Sequence, residues 1–228
     1  HQAISNKHAN GEILAKSMGI LFKPNNLLSP EYHAILKRFY RQWAYFSITK
    51  PLFALAQPAA ADGHSASRYR IAIIFMVANC PFTIYQDDLD SLIPLLITSL
   101  TGGSNSNSFT GKDVVFTQAF AALQILTEIL GNSPDALKSH LREIINGAKM
   151  IYSKCCGNVG DENLAATRTR CRKLALQVLG MIPLKFEERH IIAYAPPTQR
   201  MLAVACGDAV RKVREVARQA RASWAKVA

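Results

Sequence analysis

Apolar residues recur at helical spacing along most of the chain, in runs separated by short breaks rich in Pro, Gly, Ser and Asn. Ser29 and Pro30 begin the first clear run with an N-cap residue and a proline at the first helical position. One apolar segment, 71–77, is β-branched enough to form a buried strand instead. The pattern otherwise predicts helices over 29–45, 47–56, 67–80, 86–101, 113–131, 134–153, 164–181, 196–206 and 208–226.

The breaks between these runs indicate how the helices are organised. Pro81, Pro134 and Pro183 each follow one apolar helix and precede another, at intervals of 53 and 49 residues. Intervals of about 50 residues are close to the period of HEAT and armadillo arrays, in which helix pairs stack. We therefore predict an all-α HEAT-repeat α-solenoid of antiparallel helix pairs, forming one domain over 1–228, with a closed helical bundle as the alternative. Flexible loops are expected near 58–67, 101–112 and 156–163.

A local motif supports the repeat interpretation. Near the end of the chain, Asp208, Val213, Arg214 and Ala217 have the spacing of a HEAT helix, in which an apolar residue packs inward beside an arginine. We expect Asp208 to cap the helix that follows it, and Arg214 to bond toward the preceding unit. Looser forms of the motif occur at Cys171-Arg172-x2-Ala175 and Tyr69-Arg70-x2-Ile73.

The chain is strongly basic, with 27 Lys and Arg against 16 Asp and Glu, a formal net charge of +11 and a pI near 9.6. The C-terminal third carries most of the excess, which favours an acidic partner such as a protein surface or nucleic acid. The uncharged apolar run 71–86 is too short to span a membrane and contains Pro81. Because the chain begins HQAISNKHANGE, without an initiator Met or a leader, we expect it to be part of a longer protein.

Residues that carry catalysis or bind metals do not form a familiar motif. The sequence lacks G-x-S-x-G, a phosphate-binding loop and H-E-x-x-H. Asp87, Asp88 and Asp90 precede an apolar helix, where the helix dipole favours acidic residues. The five cysteines form no C-x-x-C pair, and Cys155 and Cys156 lack a second ligand pair at zinc spacing. We therefore expect no enzyme activity, no metal and no cofactor, in a reducing compartment.

The last predicted helix is amphipathic. One stripe is apolar and comprises Val213, Val216, Ala217, Ala220, Trp224 and Val227. The flank beside it carries Arg211, Arg214, Arg218 and Arg221. We expect Trp224 to be buried and to anchor the helix. Candidate partner-binding residues are Arg211, Lys212, Arg218 and Arg221, with an ordinary solvated face as the alternative. Asp208, Val213, Arg214, Ala217 and Trp224 are expected to be structural.

Two other basic segments are candidate surfaces. Arg168, Arg170, Arg172 and Lys173 lie at the start of the helix predicted over 164–181. Over 32–46, basic residues alternate with aromatic ones, and such a helix could stack nucleic-acid bases. These residues are Tyr32, Lys37, Arg38, Phe39, Tyr40, Arg41, Trp43, Tyr45 and Phe46. A face left exposed where the chain is cut from a larger array explains the pattern equally well.

The C-terminal pattern resembles a known family. The pattern is Tyr194-x-Pro196-x3-Arg200-x-Leu202-Ala203-x4-Asp208-x4-Val213-Arg214-x2-Ala217-x2-Ala220-Arg221-x2-Trp224. It resembles the closing repeats of the large scaffold subunit of the cytosolic iron–sulfur protein assembly targeting complex. That family is known through methyl-methanesulfonate sensitivity and methionine auxotrophy phenotypes. The resemblance is specific over 194–228 and weaker elsewhere, as in Leu36-x4-Arg41-Gln42-x3-Phe46.

This resemblance implies a function without catalysis. The chain would be a C-terminal HEAT domain that docks the small cluster-delivering subunit and, through it, a WD-repeat propeller subunit. The assembly would serve iron–sulfur client enzymes of DNA replication and repair, in the cytoplasm and nucleus. A nucleic-acid-binding HEAT module in DNA repair is the alternative, suggested by the charge of +11 and the aromatic helix at 32–46.

Overall fold

The computed structural model describes residues 10–22, 39–56, 63–101, 112–157 and 162–227. Within these residues every regular element is helical and no strand occurs, so the predicted all-α helical-repeat class is confirmed. The segment 71–77, weighed as a strand, lies inside a helix. The chain divides into two compact units, His1–Leu95 and Leu96–Ala228.

The first unit is built around one buried helix. Its elements are α1 Asn10–Ser17, a 3-10 turn Met18–Phe22, α2 Tyr40–Ala44, a π-turn Tyr45–Thr49, α3 Lys50–Leu55, α4 Gly63–Val77, α5 Phe82–Tyr85, a 3-10 turn Gln86–Asp88 and α6 Leu89–Thr101, whose last residues belong to the second unit. Helix α4 contacts α1, α3 and the π-turn, and its residues from Ile71 to Ile74 are fully buried. A Cβ on Gly19 would lie 2.7 Å from the Phe75 carbonyl oxygen, so glycine lets the first 3-10 turn approach α4 closely.

The second unit is a stack of long helices joined by short ones. Its further elements are α7 Lys112–Asn132, a 3-10 turn Pro134–His140, α8 Leu141–Cys156, α9 Glu162–Lys185, α10 Glu188–Ile191, a 3-10 turn Ile192–Tyr194, α11 Ala195–Ala205 and α12 Arg211–Trp224. Helix α9 contacts α7, α8 and α12, and α12 also contacts α11. The approach of α9 and α12 is close at Gly180, where an added Cβ would lie 3.0 Å from Ala220 Cα. Successive helices stacked in this way are typical of helical repeats.

Several predicted boundaries are wrong for identifiable reasons. The break expected between 45 and 47 does not occur, because the π-turn continues the helical run from α2 to α3. The helix expected to end before Pro183 continues to Lys185. Residues 63–67, expected in a loop, begin α4. Residues 23–38, including the start of the first predicted helix, lie outside the described residues. So do residues 58–62, 102–111 and 158–161 of the loops expected near 58–67, 101–112 and 156–163.

Candidate partner-binding surface

Helix α12 has one buried face and one charged face. Val213, Ala217, Ala220 and Trp224 are buried, as is Val227 just beyond the helix. The exposed face carries Arg211, Lys212, Arg218 and Arg221, which we call the basic ridge. The apolar face fixes the helix against α9 and α11, so the basic ridge has a defined direction on a stable support.

Trp224 anchors the C-terminal end of α12. Its side chain is fully buried, and its indole Nε1 donates a hydrogen bond of 2.8 Å to the Leu179 carbonyl oxygen in α9. In a regular helix the N–H of residue 183 would donate to that carbonyl, but Pro183 has no N–H. Trp224 therefore satisfies the acceptor that proline releases, and this explains why α9 continues past Pro183. In return, Gln199 Nε2 donates to the Trp224 carbonyl oxygen at 2.8 Å.

The start of α12 is organised by the buried carboxylate of Asp208. Its Oδ2 accepts hydrogen bonds from Arg172 Nη1 at 2.6 Å and from Tyr152 Oη at 3.2 Å. The Arg172 and Asp208 side chains are 14% and 2% exposed, so this ion pair is shielded from water and connects α9 to the turn before α12. Burial raises the pKa of the Tyr152 hydroxyl, and Cys156 and Asp208 raise it further.

The expected cap at Asp208 is wrong in detail. Its Oδ1 accepts from the Val210 N–H at 2.9 Å, one residue before α12 begins, and among the described residues no side chain caps the helix at its N-cap, Val210. The carboxylate therefore shapes the turn that leads into the helix.

Arg214 also bonds differently from expectation. Its Nη1 donates to the Asp208 and Ala209 carbonyl oxygens at 2.8 and 3.0 Å, so it braces the turn before its own helix rather than the preceding unit. The connection to the preceding unit comes instead from Arg172, the arginine of the looser motif. Because the Asp208 carboxylate already binds Arg172, carbonyl oxygens of the turn are the acceptors that Arg214 reaches.

The basic ridge is open to solvent. The Arg211 guanidinium Nε lies 3.1 Å from Glu215 Oε1 one turn along, with the two side chains 85% and 50% exposed. Such an exposed pair contributes little to stability and leaves the guanidinium accessible. Lys212, Arg218 and Arg221 are exposed as well. The ridge can therefore meet an acidic surface without rearrangement of the helix.

The second basic group divides between the interior and the surface. Arg168 is buried and its Nη2 donates to the Cys155 carbonyl oxygen at 3.1 Å, whereas Arg170 and Lys173 are exposed on α9. Arg168 and Arg172 therefore serve the fold. Sequence reasoning missed the pairing of Arg172 with Asp208, although the looser motif at Cys171-Arg172 was its visible signal.

The aromatic helix separates into buried and exposed rings. Tyr45 is buried and its Oη donates to Asp88 Oδ2 at 3.0 Å, while Lys50 Nζ lies 2.9 Å from Asp88 Oδ1. Phe39, Trp43 and Phe46 are 65%, 60% and 46% exposed. Tyr32, Lys37 and Arg38 lie outside the described residues.

Comparison with known proteins gives the family. The sequence model of the RNAPII transcription regulator C-terminal family, MMS19_C, matches residues 3–183, which is most of the chain. The chain belongs to this family. The resemblance found in the sequence is thereby confirmed at the level of the family. The match to MMS19_C ends at Pro183, however, so the specific resemblance over 194–228 lies beyond it and the family signal covers the part expected to be weaker.

Two curated relatives cover more of the chain. The MMS19 nucleotide excision repair protein homolog of Dictyostelium discoideum is 22% identical over 213 residues, 92% of this chain and 17% of that protein. The DNA repair/transcription protein mms19 of Schizosaccharomyces pombe is 24% identical over 184 residues, 80% of this chain and 18% of that protein. The chain thus spans less than a fifth of the length of these relatives, which are named as DNA repair and transcription proteins.

Side chains that could hold a metal do not come together in the described part of this MMS19_C chain, where no group of three His, Cys, Asp or Glu residues has suitable geometry. The buried thiols of Cys155 and Cys171 contact each other, and hydrogen bonding with Cys155 together with burial raises the pKa of Cys171. The Cys171 thiol also donates to the Phe116 carbonyl oxygen at 3.2 Å, so it packs as part of the core. Among the described helices, none is both long and apolar enough to cross a membrane.

Proposed function

We propose that this chain is a protein-interaction scaffold of the cytosolic iron–sulfur assembly targeting complex, and that the basic ridge docks the small cluster-delivering subunit. The relatives are named as DNA repair and transcription proteins, which agrees with a scaffold that serves such enzymes. The resemblance over 194–228 supplies the complex and the partner.

One observation carries the docking part of the proposal. Val213, Ala217, Ala220 and Trp224 are buried, so the fold uses one face of α12 completely and holds the opposite face outward. That face presents a row of cations, of which only Arg211 is engaged by a carboxylate among the described residues, and that pair is exposed. Arginine has a planar fork of donors that pairs with carboxylates in a bidentate manner. An acidic surface on the small subunit is therefore the complementary partner.

The rest of the assembly follows from the same proposal. The small subunit would bring a WD-repeat propeller subunit, and the scaffold would hold apo-client enzymes of DNA replication and repair near the cluster donor. In this role the chain binds proteins in the cytoplasm and nucleus, and needs neither catalysis nor a cofactor of its own.

Charge reversal on the ridge tests the docking. The double variant Arg218→Glu/Arg221→Glu should weaken binding of the purified small subunit by about tenfold or more, because opposed charges replace complementary ones. Binding is measured by calorimetry, and the thermal unfolding midpoint should stay unchanged because both side chains are exposed.

A matched control separates the ridge from overall charge. Arg142→Glu/Lys154→Glu changes the same net charge at exposed positions of α8 and should leave binding nearly intact. If both double variants weaken binding equally, or if neither weakens it, docking at α12 is contradicted. Salt-sensitive binding of duplex DNA that only the α12 reversal abolishes would instead support the nucleic-acid alternative.

A further inference from the structure

Two cysteine thiols meet inside the second unit, where α8 packs on α9. Cys155 lies in the last turn of α8 and Cys171 lies in α9, and both side chains are buried. The two thiols are in hydrogen-bonding contact, and both are free rather than joined. Cysteines whose side chains point at each other meet the first geometric requirement of a disulfide. We call Cys155 and Cys171 the thiol pair.

Each member of the thiol pair is held by a bond to another helix. The Cys171 thiol donates to the Phe116 carbonyl oxygen in α7 at 3.2 Å. The Cys155 carbonyl oxygen accepts from Arg168 Nη2 in α9 at 3.1 Å. Helix α9 also packs along both α7 and α8. The fold therefore keeps the two cysteines next to each other.

The two thiols differ in acidity. A hydrogen bond from Cys171 lowers the pKa of Cys155, although burial opposes this effect. The positive charges of Arg168 and Arg172 lower the pKa of Cys155 further. The hydrogen bond with Cys155, together with burial, raises the pKa of Cys171. Since the thiolate is the reactive form of cysteine, Cys155 is the nucleophile of the pair.

A small oxidant can reach Cys155 from the end of α8. The helix ends at Cys156, which is exposed, as is Gly157 just beyond it. Successive helical residues are about 100° apart, so Cys155 points inward while Cys156 points to solvent. The last turn of a helix opens more readily than a helix interior. Such opening admits a molecule little larger than water to Cys155, whereas Cys171 stays covered within α9.

We propose that the thiol pair is a reversible oxidation site, in which hydrogen peroxide converts Cys155 and Cys171 into a disulfide. The Cys155 thiolate attacks one peroxide oxygen and the O–O bond breaks, which gives a sulfenic acid on Cys155 and a hydroxide that is protonated to water. The Cys171 sulfur then attacks the Cys155 sulfur. The S–S bond forms as the S–O bond breaks, and the Cys171 proton leaves with that oxygen as water. The two thiols lose two electrons in total, and peroxide is reduced to two molecules of water.

The order of these steps agrees with the surroundings of Cys171. The Cys155 thiolate is one cause that keeps the Cys171 proton in place, and this cause disappears once Cys155 is a sulfenic acid. A dithiol reductant restores both thiols by exchange through a mixed disulfide. In a reducing compartment, a disulfide of this kind is transient and responds to oxidant. The site lies on α8 and α9, so it does not depend on docking of a partner at α12.

Peptide mapping tests the disulfide directly. The folded chain is treated with hydrogen peroxide, quenched with catalase, unfolded in the presence of N-ethylmaleimide and digested with trypsin. Cleavage at lysine and arginine gives one peptide that spans 155–168 and another that spans 171–172. We expect these two peptides to be joined after oxidation, with loss of two of the five free thiols, and to be separated again by dithiothreitol.

Variants assign the two sulfur atoms. Cys156→Ser should leave the joined peptides unchanged, and it identifies Cys155 as the partner because the 155–168 peptide then has one cysteine. Cys171→Ala should stop the reaction at the Cys155 sulfenic acid, which dimedone traps. Cys155→Ala should leave Cys171 reduced. Circular dichroism checks that each variant is folded.

Cys80 is the control for buried thiols in general. It is buried in the first unit, so it shows how fast peroxide oxidises a covered thiol elsewhere in the chain. We expect the Cys80 thiol to be lost about tenfold more slowly than the Cys155 thiol, or slower still, because burial by itself makes a thiol unreactive.

The proposal is overturned if the joined peptides do not form, or if they form only after the chain is unfolded in urea. Loss of the joined peptides in Cys156→Ser also overturns it, because the exposed thiol would then be the one that reacts. Loss of the Cys80 thiol at the same rate would show nonspecific oxidation. Conversion of Cys155 to a sulfonic acid that dithiothreitol does not reverse would show that Cys171 does not react with the sulfenic acid.

Discussion

Trp224 and Pro183 form a pair that is far apart in sequence and complementary in hydrogen bonding. Proline inside α9 removes one backbone donor, and the indole of α12 supplies another at the Leu179 carbonyl, 2.8 Å away. A buried carbonyl without a donor costs free energy of unfolding, so the pair stabilises both the irregular turn of α9 and the position of α12.

Substitution of Trp224 should reveal this coupling. Trp224→Ala removes a fully buried side chain and should lower the free energy of unfolding by about 3–5 kcal/mol. Trp224→Phe keeps most of the apolar volume but leaves the carbonyl unpaired, at a cost of about 1–3 kcal/mol. In a Pro183→Ala background the new N–H can bond Leu179, so Trp224→Phe should cost less. Urea unfolding of the unsubstituted chain, Trp224→Phe, Pro183→Ala and the double variant measures this difference. Equal costs of Trp224→Phe in both backgrounds would refute the coupling.

Tyr45 should give the first unit a dependence on alkaline pH. Burial raises the pKa of its hydroxyl above the ordinary tyrosine value, and the bond to Asp88 raises it further. Above pH of about 10 the unfolded chain loses this proton while the folded chain retains it, so stability falls as pH rises. Tyr45→Phe should flatten the decline of the unfolding free energy between about pH 9 and about pH 11, whereas parallel curves for the two chains would exclude this origin.

Residues near the end of the chain differ in how far sequence reveals their contacts. The burial of Val213, Ala217 and Trp224 follows from helical periodicity, because one helix determines which residues share a face. The partners of Arg172 and Arg214 depend on how neighbouring helices stack, and no spacing within one helix carries that information. The sequence predicts a structural role for Asp208 but not its bonds to Arg172 and Tyr152.

The elements were predictable where apolar spacing and breaks agree. Helix α7, predicted over 113–131, spans Lys112–Asn132, and α11, predicted over 196–206, spans Ala195–Ala205. The prediction was wrong where tertiary contacts compensate for a local irregularity. Pro183 does not end α9, because Trp224 replaces the missing donor.

The contact between α9 and α12 depends on a small residue in each helix. A Cβ on Gly180 would lie 3.0 Å from both Cα and Cβ of Ala220, so an added methyl group pushes against the backbone of α12. Gly131 in α7, in contrast, has no atom within 4 Å of an added Cβ. The two glycines therefore allow helix propensity and packing to be measured separately.

Alanine substitutions at these glycines should have opposite effects. Gly131→Ala should raise the free energy of unfolding by up to about 1 kcal/mol, because alanine favours the helix. Gly180→Ala gains the same propensity but overpacks the contact, at a cost of about 1–3 kcal/mol, so the net effect should be destabilising. Urea unfolding of both variants provides the measurement. Stabilisation by Gly180→Ala comparable to that at Gly131 would show that α12 moves away without cost.

At the scale of the whole molecule, the positive charge has two separate consequences. The formal net charge of +11 attracts any acidic partner, whereas the basic ridge concentrates positive charge at one site on α12. Sequence alone predicts the first consequence from composition. The second requires the structure, because Arg168 and Arg172 are equally basic in the sequence but are used inside the fold.

Ionic strength distinguishes these two consequences in the binding of the small subunit. Exposed charges steer the encounter of two proteins, and salt screens them over a Debye length of about 8 Å at physiological ionic strength. The association rate should therefore fall steeply as salt is raised, with little change in the dissociation rate. Arg218→Glu/Arg221→Glu and Arg142→Glu/Lys154→Glu both lower the formal net charge from +11 to +7. If the ridge steers the partner, the association rate measured by stopped flow should lose most of its salt dependence only in the α12 variant. The same loss in the α8 variant would show that overall charge steers the partner.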